Sequence, residues 1–303
     1  MLLRGADMEY VSVKQAADSW GLSERSVRNY CAAGRVPGAV LQGKVWLLPG
    51  GAERPVRKKR AGKLATELLS RLRAEKEARI SGGIYHKLQI DLTYNSNHIE
   101  GSQLTHDQTR YIYETNTVGI EDNVVNVDDI IETVNHFRCI DLVIDQANYI
   151  LRESFIKQLH YVLKNGTADS RKEWFAVGNF KRYANEVGGR CTVSPEETAG
   201  RIRDLLRRYN QERQKSLEDV VSFHYEFEMI HPFQDGNGRV GRLIMLKECL
   251  KNGIVPFIIS DDLKEYYYRG LANWKKEKGY LLDTCLTAQD RFKKQLDYFG
   301  IKY

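Results

Sequence analysis

One run of residues carries more chemistry than any other: His231, Pro232, Phe233, Gln234, Asp235, Gly236, Asn237, Gly238, Arg239, Val240, Gly241 and Arg242. Val220, Phe223, Phe227 and Ile230 lead into it at helical spacing. Val240, Leu243, Ile244 and Leu250 leave it at the same spacing, as far as Gly253. A glycine-punctuated loop at a helix N-terminus aims backbone N–H groups and the positive end of the helix dipole at one spot, which suits an anion. Gly236 and Gly238 let the backbone approach a phosphate closely. Arg239 and Arg242, three apart, can each grip phosphate oxygens through two N–H groups. Asp235 offers a hard oxygen ligand for Mg²⁺. His231 titrates near neutrality and can take a proton from an attacking hydroxyl. Phe233 reads as the inward anchor of the loop. A base, a metal carboxylate, an anion nest and two arginines together describe phosphoryl or nucleotidyl transfer.

The elements that must position this loop read as mainly α. From Lys63 onward the apolar spacing is helical. The exception is the stretch 180–193, where Gly188 and Gly189 predict a small hairpin. A helix start follows, with Ser194 as N-cap, Pro195 at the first position and Glu197 three residues on, continuing through Ile202, Leu205 and Leu206 to about Tyr209. Upstream, Leu88, Leu92 and Ile99 predict a helix stopping at Gly101, with Glu100 in its last turn. A carboxylate there opposes the helix dipole and calls for a cationic partner.

The 231–242 run resembles the Fic signature, His-x-Phe-x-Asp/Glu-Gly-Asn-Gly-Arg-x-x-Arg, at every fixed position. The resemblance extends over about residues 85–290. It implies an all-helical Fic core with a small β-hairpin flap, and transfer of AMP from ATP to a Tyr, Ser or Thr hydroxyl of a target protein or of the chain itself. It also implies roles. His231 would be the catalytic base and Asp235 the Mg²⁺ ligand. Gly236, Asn237, Gly238, Arg239 and Arg242 would hold the phosphates of ATP, and Tyr267 and Tyr268 would line the nucleobase pocket. The target protein would dock on the flap around 180–193 and present its hydroxyl to His231. Asp129, Asn135, His136 and His160 resemble fold-support positions. The stretch Ser96 to Gly101 resembles the Fic inhibitory motif, Ser/Thr-x-x-x-Glu-Gly/Asn, with Ser96, Glu100 and Gly101 in the fixed places. Glu100 would then pair with Arg242 and turn ATP away from in-line attack. Two alternatives stand beside this reading: AMP removal using Glu100 to activate water, and a DNA-binding regulator tuned by automodification. A third, a toxin held by a separate antitoxin chain, is disfavoured by the internal Glu100.

The first fifty residues read differently. Val13, Ala16, Ala17 and Trp20 form one helix face that Ser12 can cap and Gly21 ends. Ser23 opens a second helix running to about Ala33 and closed by Gly34. A hairpin turning near Gln42 and Gly43 follows. The string resembles the small winged helix-turn-helix modules related to MerR and excisionase proteins, which implies DNA contacts through Arg25, Arg28, Asn29 and Lys44. Residues 51–63, with the basic run 57–60, read as a linker. Residues 1–63 hold 12 Lys/Arg against 5 Asp/Glu, while the whole chain nets +6, so the positive charge belongs to this segment and the remainder is nearly neutral. Nucleic acid is thus expected only at residues 1–63.

At 303 residues, 42% hydrophobic and 28% charged, the chain has an ordinary globular composition. No apolar run approaches the roughly 20 residues that span a bilayer. The N-terminal residues lack the apolar stretch of a secretory signal. Five scattered cysteines without a CxxC pair point to a reducing compartment. A cytoplasmic protein without membrane contact is expected, and the family resemblance suggests a homodimer.

Overall fold

The computed structural model describes residues 9–32, 34–43, 45–55, 67–119 and 124–303. Lys44 and the basic run 57–60 lie outside the described residues, as do the side chains of Arg25 and Asn29. The chain divides into two units, Met1–Gly62 and Lys63–Tyr303.

The first unit contains β1 (Tyr10–Ser12), α1 (Val13–Trp20), α2 (Glu24–Ala32), β2 (Val40–Gln42) and β3 (Val45–Pro49). Ser12 caps α1 in a reciprocal box with Gln15, and Gly21 closes it in the left-handed conformation. The hairpin turns at Gly43, as its sequence predicts. Strand β1 is an addition: it pairs antiparallel with the far edge of β3, giving the order β1-β3-β2. Three residues are too few for a periodicity signal, and Ser12 reads from sequence only as a cap. Val13, Ala16, Ala17, Val27, Cys31, Val36 and Leu48 form the core of this unit.

Among its described residues, the second unit is helical apart from one hairpin. Its elements are α3 (Glu67–Ala78), α4 (Ile84–Ile99), α5 (His106–Thr115), α6 (Val127–Gln146), α7 (Glu153–Lys164), β4 (Glu186–Val187), β5 (Arg190–Cys191), α8 (Pro195–Tyr209), α9 (Leu217–Ile230), α10 (Asn237–Asn252), α11 (Lys264–Asn273) and α12 (Gly279–Tyr298). Helix α10 runs through the centre, buried along nearly its whole length. It packs on α9, α6, α7 and α4. Leu243 and Ile244 of α10 share one core with Leu88, Ile140, Leu159 and Phe227. A second core gathers Met245 and Cys249 of α10 with Ile99, Tyr225, Tyr267 and Leu281. A helix buried on all sides shows no amphipathic stripe, so its central place is hidden from periodicity. Among the described residues, no helix is long and apolar enough to cross a membrane.

Candidate active site

The loop from His231 to Gly236 joins α9 to α10, and its shape is set by side chains turned back on its own backbone. His231 is the C-cap of α9, left-handed at φ 50° and ψ 63°, with its N–H on Phe227 O at 2.9 Å. Phe233 is fully buried, a burial that contributes about 1.5–3 kcal/mol. His160 of α7 stacks on it at 3.9 Å between centroids. His160 Nδ1 accepts the Gly178 N–H at 2.9 Å. Its Nε2 is therefore the protonated nitrogen, 3.2 Å from the carbonyl oxygen of Asp235. Asn237 spends both ends of its carboxamide on Phe233: Oδ1 accepts the N–H and Nδ2 donates to the carbonyl, each at 2.8 Å. Its side chain thus braces the loop, with one N–H of the carboxamide left over. Gly236 is the N-cap of α10 with φ 80°, the left-handed region where an L side chain is strained. The next N–H groups lie in the first turn of α10, where a helix supplies no backbone acceptor.

The charged side chains fall into two clusters. In the first, Asp235 Oδ2 receives Lys164 Nζ at 2.7 Å and Arg239 Nη2 at 3.3 Å, while Arg239 and Lys164 both also bind Glu132 of α6. Burial alone would raise the Asp235 carboxyl. Arg239 and Lys164 outweigh it and hold the group well below the ordinary carboxylate range. Oδ2 takes both cations, yet the side chain remains 46% exposed, so a face of the carboxylate stays open. Among the described residues, no three His, Cys, Asp or Glu are grouped to hold a metal ion. One open hard oxygen fits Mg²⁺ that arrives with phosphates, since that ion keeps few protein ligands.

The second cluster surrounds Arg242, which is 4% exposed. Its Nε donates to Ser96 Oγ at 2.9 Å, and its Nη2 donates to Ser96 O at 2.9 Å and Glu100 Oε1 at 2.7 Å. The sequence places Glu100 in the last helical turn. It is instead the C-cap of α4, one residue past the helix, with Gly101 turning the chain away at φ 102°. Gly238 is the other side of this contact: a Cβ there would overlap Glu100 Oε1.

His231 lies between the clusters. Burial first, and then the Lys181 ammonium, lower its pKa to about 4, so it is neutral at physiological pH and able to accept a proton. Glu228, one turn earlier, has Oε2 3.9 Å from His231 Nδ1. Burial, with Glu100 adding to it, raises the Glu228 carboxyl to about 8. A cavity of about 530 Å³ is lined by His231, Gly238, Arg242, Glu100, Tyr268 and residues of the β4–β5 hairpin, among others. That volume is in the range of small-molecule sites. Tyr267 also lines it but is 1% exposed, its hydroxyl 2.7 Å from His224 Nε2, whereas Tyr268 is 41% exposed with its hydroxyl on Ile99 O. Lys181 ties the hairpin down through Asn185 Oδ1, Thr192 Oγ1 and Ile230 O.

Residues 150–249, which include the loop and helix α10, match the model of the Fic/DOC family. The chain carries a Fic domain. Its curated relatives include the protein adenylyltransferase Fic of Drosophila mojavensis, 30% identical over 186 residues, covering 59% of this chain and 35% of that protein. The protein of the same name from Drosophila persimilis matches at 30%, over 59% of this chain and 34% of its own. The chain spans about a third of the length of these relatives. Two solved structures share the fold. A Fic domain containing signaling protein from Bacteroides thetaiotaomicron aligns with a TM-score of 0.60 at 22% identity, covering 76% of this chain and 94% of that one. Fic-1 of C. elegans aligns with a TM-score of 0.60 at 20% identity, over 77% and 72%.

Of the residues the sequence singles out in the Fic domain, the structure brings together His231, Asp235, the 236–239 turn, Arg242, Ser96 and Glu100. Of the positions read as fold support, Asn135 bonds the carbonyls of Leu163 and Asn165, His136 meets Thr93, and Asp129 takes the Gln103 N–H, all away from the cavity lining. In the first unit, Arg28 is half exposed and paired with Glu24. Sequence reasoning missed Glu132, Lys164 and Glu228. The first two are single charges on helices far from the loop in sequence. Glu228 is three residues before His231, a spacing that could have flagged it.

Proposed function

We propose that the chain is a protein adenylyltransferase, moving AMP from ATP to a protein hydroxyl and restrained by its own Glu100. The observation that carries this is the meeting of a neutral His231, the N-terminus of α10 and Arg242 on one nucleotide-sized cavity. In this reading the backbone N–H groups of Asn237 and Gly238 and the Arg239 side chain face the phosphates. Arg242, once released by Glu100, grips the γ end. Asp235 would hold Mg²⁺, which supplies charge neutralisation across the phosphates. The target hydroxyl oxygen bonds to the α-phosphorus, its proton passes to His231 Nε2, and the bond to the bridging oxygen breaks to release pyrophosphate. Positioning and charge neutralisation provide most of such a rate gain. Tyr268 stands at the nucleobase side, and the β4–β5 hairpin offers an edge on which an extended target segment can pair.

Transfer of label from α-labelled ATP but not from γ-labelled ATP, abolished by His231→Ala, is the expected result. Label from the γ-phosphate would replace the reading with phosphate transfer. Loss of label from premodified target, with no incorporation, would replace it with AMP removal.

A second reading concerns the first unit, where two short helices joined at a left-handed Gly21 stand beside an antiparallel hairpin. We propose that it binds DNA in the manner of a winged helix-turn-helix, with Arg28 turned outward. Gel retardation by the full chain, weakened by salt and by Arg28→Ala, is expected. Salt-independent or absent retardation would remove it.

A further inference from the structure

Lys164 is the last residue of α7, and its side chain is 3% exposed. Three carboxylates meet its ammonium: Glu132 of α6, Asp235 of the catalytic loop at 2.7 Å and Asp169 at 3.5 Å. Arg239 contributes a second positive charge, on Glu132 and Asp235. Without the Lys164 ammonium, three carboxylates would converge, balanced by Arg239 on Glu132 and Asp235 and by Lys172 on Asp169 at 2.7 Å. Carboxylate oxygens are the ligands that Ca²⁺ and Mg²⁺ take, and the uncompensated negative charge left behind would attract a divalent ion.

We infer that Lys164 is a resident cation that positions Asp235 and denies these carboxylates to a free divalent ion, so that metal is taken up only together with nucleotide phosphates. This rests on reading Asp235 as the metal ligand. With Oδ2 held by Lys164 and Arg239, Asp235 presents its remaining face to the ion, and the phosphates must complete the shell. The chain is then kept from filling with metal in the absence of ATP. Lysine suits this place: it is a compact point charge, and it stands at a helix C-terminus, where the dipole favours a cation.

The test is Mn²⁺ binding to the full chain, read by electron paramagnetic resonance with and without ATP. Without ATP, Lys164→Met should bind Mn²⁺ at least about tenfold more tightly than the unsubstituted chain, because the like charge is gone. Lys164→Arg, which keeps a cation, should bind as weakly as the unsubstituted chain. Should Lys164→Met be poorly folded, Mg²⁺ should raise its melting temperature and leave that of the unsubstituted chain unchanged. A folded Lys164→Met with no gain in Mn²⁺ affinity, or an unstable one that no divalent ion restores, overturns the inference. Asp235→Asn separates the two readings. If it leaves Mn²⁺ affinity in the presence of ATP unchanged, Asp235 is not the ligand; if it weakens that affinity while Lys164→Met changes nothing, only the role of Lys164 falls.

Discussion

Glu100 Oε1 lies 2.7 Å from Arg242 Nη2 and also fills the space that a side chain on Gly238 would need. One carboxylate therefore occupies both the arginine and the helix turn that an anion would use. Glu100→Gly should raise AMP transfer by about 5- to 150-fold, the usual span of a coupling between two sites. The same change leaves the buried Arg242 guanidinium without its anion. In the absence of nucleotide the variant should lose up to about 3 kcal/mol, and ATP should raise its melting temperature more than that of the unsubstituted chain. Equal labelling rates, with equal shifts by ATP, would mean that Glu100 does not compete for this position.

Gly238→Ala separates crowding from helix propensity. Beside Glu100 the added methyl overlaps a carboxylate oxygen, an overpacking that costs about 1–3 kcal/mol. In the Glu100→Gly background the overlap with the carboxylate is gone, leaving Arg242 Nη1 at 3.0 Å as the nearest atom, while alanine gains up to about 1 kcal/mol over glycine in a helix. The substitution should thus destabilise the original chain more than the variant. Chemical denaturation of the four proteins measures this coupling, and additive effects would contradict it.

Acid should unfold this domain early. Burial lowers His136, His160 and His224 to about 3 and His231 to about 4. Between about pH 6.5 and those values the unfolded chain binds protons that the folded chain refuses. Stability is thus whole above pH 6.5 and falls with pH toward 4. The loss is about 1 kcal/mol for each histidine from pH 6.5 to 5.5. A melting temperature unchanged across that interval would show that these rings accept protons in place.

Glu228 gives the opposite slope. Its carboxyl is raised to about 8 by burial and by Glu100, so the folded state holds a proton that the unfolded state gives up above about pH 4.5. That contribution is greatest at low pH and declines as pH rises to 8. Glu228→Gln has no proton to lose, so its stability relative to the original chain should improve by about 2 kcal/mol or more between pH 5 and 7.5. Transfer by His231 should change little, because the neighbour is already uncharged. A variant uniformly destabilised at both pH values would instead assign Glu228 an ionised partner.

The loop and the helix that follows it were legible because their residues are contiguous: the glycines, Arg239 and Arg242 stand at fixed offsets from His231, and the offsets are the geometry. Ser194 and Gly253 marked helix ends where they occur. Glu100 was legible as a carboxylate in need of a cation, and motif likeness supplied Arg242, 142 residues away. What stayed hidden depends on contacts between distant segments. Glu132 and Arg239 are 107 residues apart and Lys164 and Asp235 are 71 apart, with no periodicity to join them. The phosphate role of Asn237 comes from motif likeness; that its carboxamide also bonds both the N–H and the carbonyl of Phe233 shows only in the folded loop.

The backbone at His231 carries one more consequence. A left-handed conformation in a residue with a Cβ is strained by roughly 1–2 kcal/mol, and glycine would adopt it freely. On the reading proposed above, backbone ease and chemistry pull this position in opposite directions: a glycine would relax the backbone at residue 231 and remove the proton acceptor.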